Sequence, residues 1–83
     1  MDCKWTNPET GTTVSTVLVP NWIEPDGPST YETCLFFVTE DGKRDFSEVV
    51  ETYIDVKTAM AGHVYWCRKI KSGEISWRNY DYS

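Results

Sequence analysis

Along the first half of the chain, short β-branched runs alternate with turn-forming clusters. "TTVSTVLV", Thr12 to Val19, is β-branched at most positions and reads as a strand, and Lys4-Trp5-Thr6 reads as a shorter one before it. Between them, Asn7-Pro8-Glu9-Thr10-Gly11 reads as a turn, with proline presetting φ and glycine free to reverse the chain. Pro20 to Ser29 packs three prolines and a glycine into ten residues and reads as a stiff loop. Thr30 to Thr39 is the next predicted strand. Its centre, Cys34 to Val38, is apolar on both faces, which calls for cover on both sides. Glu40-Asp41-Gly42-Lys43 then reads as a tight turn.

The period changes at Phe46. Phe46, Val49, Val50, Tyr53, Val56 and Met60 recur at three- and four-residue steps, and on a helical wheel they share about a third of the circle. Ser47, Glu48, Glu51, Thr52, Asp55 and Thr58 fall opposite, and Asp45 with Glu48 has capping-box spacing. This pattern predicts an amphipathic helix over 46–61, closed by Gly62 as a left-handed cap. Beyond it, Val64-Tyr65-Trp66 favours a strand, and Ser72-Gly73 reads as a two-residue hairpin loop. Folding there would pair Ile70 with Ile75, Arg68 with Trp77 and Tyr65 with Tyr80.

The predicted fold is therefore α+β: one domain over 1–83, an antiparallel sheet of about five strands, and one amphipathic helix on one face, in the order β-β-β-α-β-β. This has a consequence for chemistry. On a strand, His63 and Cys67 would lie about 13 Å apart and share neither a metal nor a proton. On a helix they would be neighbours.

Composition narrows the function classes. Of the formal net charge of −5, residues 1–55 carry −8 and residues 56–83 carry +3. The overall acidity disfavours general nucleic-acid binding, while the basic C-terminal part keeps a local version of it open. No apolar run approaches the ~20 residues of a membrane span, and the first residues have no apolar signal core, so a cytoplasmic protein is expected. The three cysteines, Cys3, Cys34 and Cys67, are widely spaced, which points to buried free thiols in a reducing compartment.

"NPETG" resembles a sortase sorting signal, but such signals precede an apolar span and basic residues near a C-terminus. No phosphate-cradling glycine motif occurs, and one histidine without a CxxC, HxxxH or HExxH offers no zinc site. Carboxylate pairs such as Asp41 with Asp45 and Glu51 with Asp55 fall on a turn or an exposed helix face, where a catalytic pKa is not expected. A non-enzymatic protein without cofactor or metal follows as the expectation.

Three surfaces remain for partners. The outer face of the predicted hairpin would carry Tyr65, Lys69, Arg78, Tyr80 and Tyr82. These are residue types found at interface hot spots and on single-strand nucleic-acid platforms. Trp22-Ile23 in the proline-rich loop forms a second candidate anchor. Asp41, Glu48, Glu51 and Asp55 form a third, an acidic helix face suited to a basic partner. The leading expectation is a small acidic protein-binding module, an inhibitor or regulator that self-associates as a homodimer. Such domains occur among accessory proteins of phages and mobile elements. A small-ligand or single-stranded nucleic-acid binder is the alternative.

Overall fold

The computed structural model describes residues 2–21, 23–24, 26–38 and 45–75, with backbone only at 45 and 46. Four strands come first: β1 (Asp2–Thr6), β2 (Thr13–Val19), β3 (Thr30–Val38) and β4 (Asp45–Tyr53). One helix, α1 (Val56–Lys71), follows. The strands form an antiparallel meander in the order β1-β2-β3-β4, and α1 packs on β2, β3 and β4.

The α+β class and the first three strands agree with the sequence pattern. The turn at 7–11 does as well. Gly11 has φ +77°, and Asn7 closes the turn by donating its backbone N–H to the Thr12 carbonyl and accepting from Gly11 N–H, both at 2.8 Å.

The second half differs. Of the segment expected to be a helix, 46–61, only 56–61 is helical and 46–53 is strand β4, while the segment expected to be a hairpin strand is the body of α1. The described sheet therefore has four strands in the order β-β-β-β-α, not five as β-β-β-α-β-β. The proposed pairings of Arg68 with Trp77 and Tyr65 with Tyr80 place one partner beyond the described residues, and Tyr65 and Arg68 are helical.

A bulge explains the false helical period. The register of β3 with β4 shifts between Thr33 and Cys34: Thr33 faces Glu51, but Cys34 faces Val49. Val50 is the extra residue, and it packs against the core. The inward-facing series of β4 therefore changes parity within the strand. Val50 and Tyr53 thereby share the inner face at a three-residue spacing, as on a helix.

Helix α1 begins at Asp55, whose carboxylate accepts from Thr58 N–H at 2.8 Å. Asp55 is exposed, and this bond holds its carboxyl below the usual range. The helix ends at Gly73 (φ +81°), which donates to the Ile70 carbonyl, while Ser72 donates to the Arg68 carbonyl. Gly73 is thus the helix-ending glycine, and Gly62 lies inside α1 with no left-handed φ. The buried Asn7 side chain also donates to the Ile70 carbonyl at 3.1 Å, tying the helix end to the β1–β2 turn.

The space between helix and sheet has two halves. Val14, Leu35, Phe37 and Ile70 form an apolar cluster, with Trp5, Val50, Trp66, Cys67 and Ile75 packed against it. Two residues further along the same inward faces stand Thr16 and Thr33, both fully buried, followed by Tyr53 and Ala59. This half is polar and needs internal hydrogen bonds.

Candidate functional site

Those bonds form a single chain across three strands. Cys67 Sγ lies 3.5 Å from His63 Nε2, and His63 Nδ1 lies 2.8 Å from Thr16 Oγ1. Thr16 Oγ1 is 2.7 Å from Thr33 Oγ1, which is 3.1 Å from the Tyr53 hydroxyl. Tyr53 donates to Glu51 Oε1 at 3.1 Å, and the Trp66 indole N–H donates to the same oxygen at 2.9 Å.

Donor inventory sets the direction of every link. A carboxylate only accepts, so the single Tyr53 proton goes to Glu51 and the Tyr53 oxygen accepts from Thr33. Thr33 then accepts from Thr16, and Thr16 from His63. Neutral His63 must therefore carry its proton on Nδ1, leaving Nε2 to accept from the Cys67 thiol.

Three local features assemble the chain. Inward positions of β2 and β3 carry threonine, whose hydroxyls meet across the ladder. The β4 bulge turns Glu51 to the helix side along with Val50. Gly62 leaves room for the Tyr53 ring: an added Cβ would collide with its hydroxyl, Cζ and Cε1.

This geometry corrects the expected separation of His63 and Cys67, because consecutive turns of α1 bring them into contact. Burial pushes the Cys67 thiol up, with Cys3 adding to it, and burial pulls His63 down, so both shifts favour the neutral forms. Cys34 pairs with Val49 and Ser15 and lies on the sheet's opposite side from His63. Burial comes first in raising the Tyr53 phenol, opposed by the Thr33 bond and reinforced by the Glu51 charge. Among the described residues no three His, Cys, Asp or Glu side chains form a metal-binding group.

The shift of His63 predicts an acid-sensitive fold. Its folded-state pKa lies below the unfolded value of 6.5, so its contribution is fully present above 6.5 and is lost as pH falls through the folded pKa. Urea midpoints of the wild type should fall across that window, and the His63 contribution to that slope should vanish in His63→Leu. An equal slope in both proteins would assign the acid sensitivity elsewhere.

The surface candidates fare unevenly. Tyr65 and Lys69 are one helical turn apart, with the Lys69 ammonium 5.4 Å above the Tyr65 ring and 2.9 Å from Glu74. Both lie on α1, not on a hairpin face. Arg78, Tyr80 and Tyr82 lie outside the described residues, as do Trp22 and Asp41. Ile23 is 92% exposed. The acidic helix face dissolves: Glu48 and Glu51 belong to β4, and Asp55 caps α1.

Sequence reasoning missed Thr16, Thr33, Tyr53 and Trp66 as a linked set. The usable signal was threonine at matching inward positions of two neighbouring strands. Compared with protein-family models, curated proteins and solved structures, the chain finds no match in any of the three. Among the described residues, no helix is long and apolar enough to cross a membrane.

Proposed function

We propose that this chain is a non-enzymatic protein-binding module that self-associates through the outer face of its sheet. The observation that carries this reading is the side of the meander turned away from α1. There, half-buried Cys34 faces Val49, which is 50% exposed, and Phe36 beside them is 44% exposed. Thr13 on β2 continues an uncharged strip beside Phe36, while Ser15, between Lys4 and Cys34, is itself buried. Charges flank it: Lys4 lies beside Ser15 on β1, and Glu32 lies beside Val17 on β3. The margins carry both signs of charge, Lys4 and Glu32, so a second copy is an occupant that suits both the apolar and the charged parts. The neutral tendencies of Cys67 and His63 support a binding role over covalent catalysis.

Sedimentation at low and high salt tests this reading. The wild type should be dimeric at high micromolar concentration with little salt dependence, since the centre of the interface is apolar. Val49→Lys should be monomeric and remain folded, because Val49 is half exposed. A wild type that stays monomeric at that concentration removes the claim.

The alternative, a single-stranded nucleic-acid or small-ligand binder, no longer has a hairpin face within 62–75. What supports it is an open groove of about 390 Å³ lined in part by Tyr65, Arg68 and Lys69. Binding there by a nucleic acid would weaken steeply with salt.

A further inference from the structure

The polar chain ends at an opening. On the β4 side of α1 an open cleft of about 560 Å³ is lined by Glu51, Tyr53, Thr58, Tyr65 and Trp66 over a floor that includes Val50. We propose that this cleft receives an arginine side chain from an extended segment of a partner protein, on a surface separate from the sheet's outer face.

Three features select that ligand. Glu51 accepts from Tyr53 and Trp66 through the same atom, Oε1. Its carboxylate is thus held in place, and among the described residues Oε2 takes no bond, leaving it for a third donor. Tyr65 and Trp66 meet edge to face, at 86° and 5.4 Å between centroids, so the wall includes aromatic surface in two orientations. A planar guanidinium combines stacking on such surface with a charge-assisted bond to a carboxylate, which an ammonium does less well. Lys69 already lies over the Tyr65 ring, and its charge is countered by Glu74 at 2.9 Å.

The third feature points to an extended segment as the source. β4 is an edge of the described sheet and pairs only with β3 there. A segment laid along such an edge gains main-chain bonds and directs alternate side chains to the helix side, where the cleft lies. The acidic residues Glu48 and Glu51 on this strand, in a chain of net charge −5, match a basic segment.

The test uses the whole protein and the capped peptide Ac-Thr-Val-Arg-Val-Thr-NH2, followed through the Trp66 indole N–H resonance. That proton is bonded to Glu51 and reports on the cleft directly. The arginine peptide should shift the resonance saturably. The citrulline peptide, equal in shape but uncharged, should bind at least about tenfold more weakly, as expected for losing a charge-assisted bond.

Glu51→Gln should weaken binding similarly while keeping an amide oxygen for Tyr53 and Trp66. Tyr65→Ala, at a half-exposed position, should weaken it without touching that pair of bonds. Equal binding of the citrulline peptide overturns the proposal, as does unchanged affinity in both variants or no shift at millimolar peptide. Free arginine binding as tightly as the peptide would overturn the protein-partner assignment in favour of a small cationic ligand. A displaced Trp66 resonance in Arg78→Gln without peptide would assign the cleft to the chain's own C-terminal segment and overturn it too.

Discussion

Gly62→Ala should destabilise the protein by about 1–3 kcal/mol, although the same change inside a helix ordinarily stabilises by up to about 1 kcal/mol. The cause is local. Gly62 has ordinary helical backbone, so no left-handed strain is involved. Its missing side chain is the space taken by the Tyr53 hydroxyl, Cζ and Cε1. Tyr53 is 4% exposed and bonded on both sides, to Thr33 and to Glu51, so it has little freedom to withdraw.

A double-mutant cycle in urea separates this from a helix-cap effect. In a Tyr53→Leu background Gly62→Ala should become neutral or stabilising, because the ring is gone. In Tyr53→Phe it should stay destabilising, because two ring carbons still stand in the way. A cost of equal size in all backgrounds would mean that Gly62 acts through its backbone, as a cap would.

Phe37→Ala should cost about 3–5 kcal/mol, most of the stability of a domain of this size. Phe37 is fully buried against Val14, Leu35 and Ile70, where β2, β3 and the end of α1 meet. Its neighbour Phe36 has the same chemistry on the other face and is 44% exposed. Measured at a concentration too low for self-association, Phe36→Ala should cost about 1 kcal/mol or less. Thermal or urea unfolding of the two variants measures the difference. Similar losses would mean that the outer face is as well covered as the inner one.

The readings that held depend on neighbours along the chain. Thr13 to Val19 and Thr30 to Val38 are strands because β-branched and aromatic residues dominate both, and prolines and glycines bound them. Asn7 to Gly11 turns because its own residues close it. The alternation along the centre of β3 also reads correctly: Leu35 and Phe37 point to the helix, while Cys34 and Phe36 lie on the other face, where Phe36 is 44% exposed.

What failed depended on contacts made at a distance. The spacing of Phe46, Val50 and Tyr53 fits either a helix or a strand with one extra residue, and only pairing with Thr33 and Cys34 distinguishes them. Gly62 and Gly73 each could have ended a helix. The Tyr53 ring accounts for the first and the backbone bonds to Arg68 and Ile70 for the second.

With α1 displaced by ten residues, His63 and Cys67 moved from a strand to one helix face. Glu51 moved from an expected helix surface to the end of a buried hydrogen-bond chain. Strand propensity and turn chemistry act within a few residues and can be read in order. A bulge, a close approach of glycine to a ring, and a proton chain through Thr16, Thr33 and Tyr53 exist only once three strands and a helix have met, so the tertiary structure alone decided them.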